Sequence, residues 1–344
     1  MARITIADIA RHAGVSTGAV SYALNDRPGV SDETRARILK IAADLGWAPS
    51  SAARSLSGAR SETIGLVLAR DPATLGFESF YMQFIAGIET VLSERGFALL
   101  LQVVPDLDAE LRTLRHWRAA RRVDGVVLVD PRIEDPRIDL LAGPDQLPVV
   151  VVGDTALAGG LTNVWTDDAG AVRESVRYLH AMGHRRIARV AGLEDFGHTH
   201  IRDEAFRAEL AELGVDGTIA RTDYTPVQGA TATRNLLTGA DRPSAIIYDN
   251  DVMALAGLGV AGELGVAVPR DLSVVAWDDS PLCEATYPRL SALSHDVVRY
   301  GAHVARRLFE QMDGAPRGSF LDSTPALRPR GTTARHDGAG DGRD

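Results

Sequence analysis

The chain has 344 residues, of which 45% are hydrophobic and 24% are charged, a balance typical of globular rather than disordered proteins. No apolar run reaches the roughly 18 residues that span a membrane, and a single cysteine, Cys283, excludes a disulfide framework and a cysteine-based zinc site. Residues 1–5 lack the apolar core of an export signal, so we expect a cytoplasmic protein with no membrane partner.

The net charge of −9 is divided unevenly along the chain. Residues 1–60 carry eight basic and five acidic side chains, a net charge of +3, which leaves −12 for the rest of the 37 basic and 46 acidic side chains. A small basic head on a large acidic body favours a polyanionic partner for the head alone.

Residues 1–48 are predicted to form three short helices. Thr5 is placed to cap a first helix that ends at Gly14, and Ser16 is placed to cap a second helix. The turn between them has the length found in a helix-turn-helix. Ser31 is placed to cap a third helix, and the apolar faces of all three helices can close a small core.

The exposed face of the second helix carries hydroxyl groups and a glycine where a helix-turn-helix meets base edges in the major groove. Hydroxyl groups at helix N-termini also suit contacts with phosphates. The alternative is a generic three-helix bundle in which the same serines and threonines only cap helices. The DNA-contacting residues that we predict in the head are Thr5, Ser16, Thr17, Gly18, Ser21, Tyr22, Asn25 and Ser31.

The same region contains a long, ordered series of short motifs. They are Thr5-Ile6-Ala7-Asp8-Ile9-Ala10, Ala13-Gly14-Val15-Ser16, Val20-Ser21, Leu24-Asn25, Val30-Ser31, Thr34-Arg35, Leu45-Gly46-Trp47, Pro49 and Ala53-Arg54-Ser55-Leu56. The series resembles the N-terminal head of the LacI/GalR family of bacterial transcription regulators. Ala19 and Ser50 depart from residues that are frequent in that family, and Gly18 leaves one base-reading position without a side chain. The resemblance therefore implies sequence-specific DNA binding but does not give the operator sequence.

Residues 49–60 are predicted to form a hinge helix and linker. A helix this short is below the roughly 12–15 residues that are marginally stable alone, so we expect it to be frayed in the free protein and to form on DNA. The resemblance implies that this helix pairs with its twin in a dimer. It also implies that Leu56 wedges into the minor groove and that Arg54 contacts DNA. The alternative is a plain interdomain linker.

Residues 61–330 alternate short apolar runs with amphipathic stretches, which predicts an α/β fold with parallel sheets in doubly wound subdomains. We predict strands at 64–69, 98–103, 126–129, 149–152, 187–190, 245–247 and 273–276, and helices at 80–95, 169–182, 201–213, 227–237, 252–264 and 297–312. Residues 61–163 with about 292–330 are predicted to form one subdomain and residues 164–291 the other. The Gly- and Asp-rich residues 331–344 are predicted to be disordered.

Polar residues follow several of the predicted strands, at the position where ligands bind to open parallel sheets. They are Asp71, Asp130, Asp154, Asp249, Asn250 and Asp278. Carboxylates and amides pair well with the hydroxyl groups of a sugar or similar polyol. The alternative is that an Asp after a strand caps the next helix, which we favour for Asp168 and Asp251. Trp165 and Trp277 are expected to be packing residues.

The resemblance extends over nearly the whole chain, from Thr5 to about Thr333. It implies an effector domain similar to periplasmic sugar-binding proteins, with two subdomains around a ligand cleft. The effector-binding residues implied or predicted are Phe80, Tyr81, Asp154, Phe196, His198, Arg202, Tyr224, Asn250 and Asp278. Tyr224 is expected to lie under the ligand, since an aromatic face packs on the C–H side of a sugar. Phe196 and His198 lie in a loop that either selects the ligand or is solvated.

Together these features predict a homodimeric repressor that binds palindromic operator DNA under the control of a small molecule in the cleft. The hydroxyl-pairing side chains favour a sugar, and a corepressor such as a purine is the alternative. A solute-binding protein shares the fold, but the predicted DNA-binding head argues against it. The sequence contains no nucleophile–base, metal-ligand or cofactor motif, so we predict no catalytic activity, no metal and no cofactor.

Overall fold

The structure, a computed structural model, describes residues 4–47, 60–70, 76, 79–143 and 147–336. The predicted hinge contacts Arg54 and Leu56 lie outside the described residues, as does Asp71. The chain divides into two compact units, of which the first ends at Ser61 and the second begins at Glu62. Each unit is described by itself.

Within residues 4–47, the first unit is built on three helices, as predicted. They are α1 Ile6–Ala13, α2 Thr17–Leu24 and α3 Asp32–Asp44. Each begins after a hydroxyl cap, because the side chains of Thr5, Ser16 and Ser31 accept hydrogen bonds from backbone N–H groups three residues further on. The fully buried side chains at the centre of the core are Ile9, Val20 and Ile38.

The second unit consists of two subdomains, each with a six-stranded sheet. The elements of the first subdomain are β1 Thr63–Ala69, α4 Ser79–Glu94, β2 Ala98–Val104, α5 Leu107–Ala119, β3 Gly125–Leu128, α6 Pro136–Leu141, β4 Val149–Val152, β5 Thr162–Thr166, α12 Val297–Met312 and β11 Ser319–Ser323. Those of the second subdomain are α7 Asp168–Ala181, β6 Arg186–Ala191, α8 Gly197–Leu213, β7 Asp216–Arg221, α9 Pro226–Thr238, β8 Ala245–Tyr248, α10 Asp251–Glu263, β9 Ser273–Trp277, α11 Pro281–Ala285, β10 Ser291–Ser294 and β12 Ala326–Arg328.

The strand orders confirm the predicted doubly wound α/β class. The first sheet runs β11–β5–β4–β3–β1–β2 with every neighbouring pair parallel. The second runs β12–β10–β9–β8–β6–β7, in which only β10 and β12 pair antiparallel. Because the strands are parallel, their carboxyl ends meet at one edge of each sheet, where side chains from distant parts of the chain converge.

The chain crosses between the subdomains three times, and the crossings differ from the predicted boundaries. The first sheet keeps β5 as far as Thr166, three residues beyond the predicted end at 163. The second sheet takes β10, which ends at Ser294, and the chain later returns to it with β12. Strands β5, β7, β10, β11 and β12 were not among the predicted elements.

The prediction that the chain is disordered from residue 331 is wrong for residues 331–336. Thr332 is fully buried, and its backbone oxygen accepts a hydrogen bond from the Val274 N–H group at 2.8 Å. Its hydroxyl oxygen accepts a second bond, from the Ser291 N–H group, at 2.8 Å. These backbone pairings hold the segment on the second sheet despite its composition, and residues 337–344 lie outside the described residues.

Helices α4 and α12 approach each other closely through two glycines. A Cβ atom on Gly87 would overlap the carbonyl oxygen of Val298, and one on Gly301 would overlap that of Phe84. Only glycine allows the two backbones to come this close. The contact holds α4, whose first turn carries Phe80 and Tyr81, against the beginning of α12. No helix in the described ranges is long and apolar enough to cross a membrane.

We expect Gly87→Ala to lower the free energy of unfolding by about 1–3 kcal/mol, the usual cost of forcing extra atoms into a packed contact. The matched control is Gly259→Ala in α10, where a Cβ atom would meet nothing within 4 Å. That change should raise stability by about 0.5–1 kcal/mol, because alanine favours a helix. Urea denaturation measures both variants. A Gly87→Ala protein as stable as the parent would contradict this account of the helix contact.

Candidate functional site

The carboxyl ends of strands from both sheets border one cleft between the two subdomains. Eight of the nine predicted effector-binding side chains line it, and Phe196 does not. The eight are Phe80, Tyr81, Asp154, His198, Arg202, Tyr224, Asn250 and Asp278. That they contact an effector stays a prediction, but the structure brings them to the same place.

The wall from the first subdomain is built on a half-buried ion pair. Arg70, directly after β1, has its Nη2 atom 2.7 Å from Oδ2 of Asp130, which follows β3. The Tyr81 hydroxyl donates a hydrogen bond to the same carboxylate. Burial alone would raise the pKa of Asp130, but the charge of Arg70 and the bond from Tyr81 hold that pKa below its ordinary value. This carboxylate is therefore ionised and already compensated.

A second ion pair lies on the wall from the second subdomain. Arg202 donates from Nε to Oδ2 of Asp168 at 2.8 Å, and its guanidinium carbon lies 3.5 Å from the centre of the Trp277 ring. The interpretation of Asp168 as a helix cap is wrong. The cap of α7 is Asp167, whose carboxylate accepts from the Gly170 N–H group at 2.8 Å. The carboxylate of Asp168 therefore does not cap the helix and instead orients the Arg202 side chain.

Asp249 forms a third pair at the end of β8. Both of its carboxylate oxygens accept hydrogen bonds from the fully buried Arg189, at 3.0 and 2.7 Å, and the Gly192 N–H group donates to it at 3.0 Å. Burial acts to raise the pKa of Asp249, but the charges of Arg189 and Arg202 keep that pKa below its ordinary value. The cleft is rich in charged groups, and the arginines that line it, Arg70 and Arg202, each lie against a carboxylate.

Tyr224 is held in an unusual backbone conformation, with φ at 70°. A Cβ atom on Gly192 would overlap its ring, so glycine is required for this close approach. The Tyr224 hydroxyl makes hydrogen bonds of 2.8 Å with Nε2 of His198 and with Oγ1 of Thr199. Burial and the nearby charge of Arg202 lower the pKa of His198 to about 4, so this imidazole is neutral near pH 7.

Asn250 has two structural bonds as well as its place in the cleft. Its Oδ1 atom accepts from the Met253 N–H group at 2.8 Å and so caps α10, while its Nδ2 atom donates to the Tyr224 carbonyl oxygen at 3.0 Å. The interpretation of Asp251 as the cap is wrong by one residue, since its carboxylate accepts a hydrogen bond from the Ser280 hydroxyl. One Nδ2 hydrogen of Asn250 lies outside these two bonds.

The structure does not place Phe196 on the surface of the cleft. The side chain is only 2% exposed, so it is not solvated, and it is not among the cleft-lining residues. The ring lies behind the wall, with its centre 4.3 Å from the guanidinium carbon of Arg70.

In the head, the predicted base-contacting positions lie on one face of α2. Thr17, Gly18 and Tyr22 are exposed and Ser21 is half-buried. A Cβ atom on Gly18 would have only the Ser16 hydroxyl near it, at 3.8 Å, so this position has room for other side chains. The helix thus presents these side chains together on its exposed face.

The other predicted DNA-contacting residues of the head have local roles in the same helices. Thr5, Ser16 and Ser31 cap α1, α2 and α3, as the bundle alternative required. Asn25 donates from Nδ2 to the Ser21 carbonyl oxygen at 2.8 Å. All four are exposed, so capping leaves their outer faces open to a phosphate.

Comparison with known proteins identifies the family of the chain. Residues 5–50 match the bacterial regulatory proteins of the lacI family, and residues 176–333 match a periplasmic binding protein-like domain. The HTH-type transcriptional regulator CelR of Thermobifida fusca is 32% identical over 319 residues, which cover 91% of this chain and 93% of that protein. This chain belongs to the LacI family. It is therefore a DNA-binding transcriptional regulator.

Solved structures of LacI-family proteins match over nearly the whole chain. A lac repressor dimer bound to operator and the anti-inducer ONPF is 25% identical, with a TM-score of 0.84 and coverage of 97% of this chain and 100% of that chain. A complex of the regulator CelR with cellobiose is 29% identical, with a TM-score of 0.73 and coverage of 96% and 100%.

Several cleft residues of this LacI-family chain were not predicted as ligand contacts. They are Arg70, Asp168, Trp277, His295 and Tyr300. Arg70 could have been predicted from the same pattern as Asp71, because both residues directly follow the apolar run of a predicted strand. Trp277 was assigned to packing, and it is 2% exposed, but as the last residue of β9 it also lines the cleft. His295 follows β10, a strand that the sequence did not reveal.

The low pKa of His198 predicts a pH dependence of stability. The unfolded chain binds this proton with a pKa of 6.5 and the folded chain with a pKa of about 4. The contribution of His198 to the free energy of unfolding is therefore fully present above pH 6.5 and is lost as pH falls towards 4. We expect His198→Gln to make this decline shallower in urea denaturation, whereas His200→Gln, exposed on the same helix, should leave it unchanged. An unaltered slope in His198→Gln would contradict the neutral buried imidazole.

Proposed function

We propose that this LacI-family regulator is a cytoplasmic, homodimeric repressor whose affinity for palindromic operator DNA is controlled by an uncharged sugar bound in the cleft. The observation that carries the proposal is the paired charge of the cleft. Arg70 and Arg202 each lie against a carboxylate, at 2.7 and 2.8 Å. A ligand with its own phosphate or carboxylate would have to compete with those partners, whereas a neutral polyol would not.

The cleft also provides hydrogen-bond acceptors and aromatic surface, which are the two kinds of group that bind sugars. Asp154 and Asp278 bring carboxylate groups to its edge, and carboxylates accept hydrogen bonds from hydroxyl groups. Phe80, Tyr224 and Trp277 add aromatic surface for the C–H faces of a pyranose ring. The CelR–cellobiose complex is a similar chain with a sugar ligand. We therefore take cellobiose as the first probe.

We also propose that the cleft binds its ligand without chemical turnover. A general acid for glycoside hydrolysis needs a raised carboxyl pKa near neutral pH. The pKa values of Asp130 and Asp249 are instead lowered by their arginine partners, so both groups are ionised and poor proton donors. Burial raises the pKa of Asp251, but its carboxylate is already engaged by the Ser280 hydroxyl. Release of glucose from cellobiose by the purified protein would contradict this proposal.

The direction of control is decided by one titration. Fluorescence anisotropy follows a labelled duplex, selected from a random pool by the full-length chain, with and without cellobiose and a panel of other sugars and purines. Release of DNA by a sugar identifies an inducer. Binding only when a ligand is present identifies a corepressor, as the purine alternative requires. If no sugar changes the affinity, the proposed effector class is wrong.

The recognition surface on α2 predicts a strong effect of Tyr22→Ala. Tyr22 is 45% exposed beside Thr17 and Gly18, so its removal should weaken operator binding about tenfold or more, equivalent to about 1.4 kcal/mol. The matched control is Leu39→Ala on α3, because Leu39 is also 45% exposed. Anisotropy at constant salt measures both. Equal losses in the two variants would mean that α2 does not read the operator.

The cleft predicts that Asp278→Asn uncouples the sugar from DNA binding. Asp278 has φ at 64°, a conformation that asparagine adopts readily, so the backbone should be kept. We expect the affinity for the controlling sugar to fall by about tenfold or more, the scale of a lost charge-assisted hydrogen bond. Operator affinity without sugar should not change. Asp216→Asn, exposed on the same subdomain, is the control, and an equal sugar response in both variants would contradict the role of Asp278.

A further inference from the structure

Two loops from opposite subdomains bond to each other beside the cleft. Residues 131–133 follow β3 in the first subdomain, and residues 195–197 precede and begin α8 in the second. The Gly197 N–H group donates to the Pro131 carbonyl oxygen at 2.8 Å, and the Ile133 N–H group donates to the Asp195 carbonyl oxygen at 3.4 Å. Between them, Arg132 and Phe196 form a short antiparallel bridge. We call this pair of segments the latch.

The first N–H group of α8 is satisfied from the other subdomain. Phe196 occupies the N-cap position, and it makes no side-chain cap hydrogen bond. Phenylalanine is a poor residue there, since it has no oxygen to offer the first turn. The Pro131 carbonyl oxygen accepts from Gly197 instead. A separation of the subdomains would leave this N–H group without its present partner.

The Phe196 ring lies against two guanidinium groups of the first subdomain. Its centre is 4.3 Å from the guanidinium carbon of Arg70 and 4.9 Å from that of Arg132, and the side chain is 2% exposed. Cation–π attraction is strongest when the groups are shielded from water in this way. Arg132 also forms an ion pair with Asp195 of the second subdomain. The side chains therefore tie the same two loops that the backbone joins.

Gly197 allows the loops to come this close. A Cβ atom at this position would lie 2.8 Å from the Pro131 oxygen and would overlap the Leu157 side chain, and both belong to the first subdomain. Pro131 and Leu157 line the cleft, as does His198, the next residue in the chain. The latch is thus continuous with the candidate ligand site.

We infer that the latch holds the cleft closed before any ligand binds, as a noncovalent connection added to the three chain crossings. Every bond in it joins one subdomain to the other, so it exists only when the subdomains are together. Its strength sets the fraction of molecules with a closed cleft, and apparent ligand affinity scales with that fraction. Phe196 is therefore a positioning residue of the effector site. This inference rests on the proposed function in one respect only, that the cleft is the effector-binding site.

The experiment measures closure with neither sugar nor DNA present. Nitroxide labels at Met82→Cys and Val227→Cys stand on different subdomains, at side chains that are 67% and 72% exposed, while the native Cys283 is fully buried. Double electron–electron resonance on the full chain then gives the distribution of distances between the labels. We expect one short-distance population in the labelled parent. Phe196→Ala and Gly197→Ala should each add a longer-distance population and raise the open-to-closed ratio about tenfold or more.

Two controls separate the latch from a loss of packing. Phe196→Tyr keeps an aromatic face for Arg70 and Arg132 and should restore the parent distribution. Phe206→Leu truncates an equally buried aromatic residue in the core of the second subdomain, and it should lower the unfolding midpoint without changing the distances. Asp195→Asn, at a carboxylate that is 55% exposed, tests the ion pair without a risk to folding and should raise the open population by a smaller factor.

Distance distributions that superimpose for the parent, Phe196→Ala, Gly197→Ala and Asp195→Asn would overturn the inference. A shift in Phe206→Leu as large as that in Phe196→Ala would overturn it too, because general loosening would then suffice. Neither result touches the proposed repressor function, which the sugar and operator titrations decide. Conversely, a chain that responds to no sugar would refute that function while the distances still report on the latch.

Discussion

The cleft depends on the pairing of buried charge. Three guanidinium–carboxylate pairs, Arg70–Asp130, Arg202–Asp168 and Arg189–Asp249, stand at or behind its walls. A buried ion pair adds little net stability, but removal of one partner costs about 3–5 kcal/mol because it leaves a charge without compensation. The pairs therefore fix the side chains of the cleft in place. They also bear on its chemistry, since an arginine that already lies against a carboxylate is less available to a negatively charged ligand.

Much of this arrangement could be predicted from the sequence, because a parallel sheet brings the residues that follow its strands to one edge. Asp130, Asp154 and Asp278 were found in this way. The partners could not be predicted by the same reasoning. Asp167 and Asp168 are adjacent and chemically identical, and only the path of the chain decides that the first caps α7 while the second meets Arg202. Strands β10 and β12 contain no run of apolar residues, since β10 begins and ends with serine and β12 has only three residues, one of them arginine. The order of residues 331–336 comes from backbone bonds to a distant strand.

In both units, single polar side chains cap a helix and also lie at a candidate binding surface. In the head, hydroxyl groups that cap helices also stand on the exposed surface, so the choice between a capping role and a DNA-contacting role was never exclusive. In the cleft, Asn250 caps α10 and still lines the ligand site. Phe196 shows the reverse case. Its side chain stands at the N-cap position of α8 but makes no cap hydrogen bond. Its ring and the neighbouring Gly197 contact the other subdomain instead. The contacts of Phe196 and Gly197 therefore both hold the cleft closed and order the residues beside it.

The most direct test of the central claim is the reciprocity of the two binding events. If a sugar in the cleft changes operator affinity through one coupling free energy, operator must change sugar affinity by the same factor. Anisotropy gives the first factor, from operator binding with and without saturating cellobiose. Calorimetric titration of cellobiose, with and without saturating operator, gives the second. The account predicts two equal factors that differ clearly from one. An operator affinity that depends on a sugar while the affinity for that sugar ignores operator would contradict it, as would two factors of one for cellobiose and every other sugar of the panel.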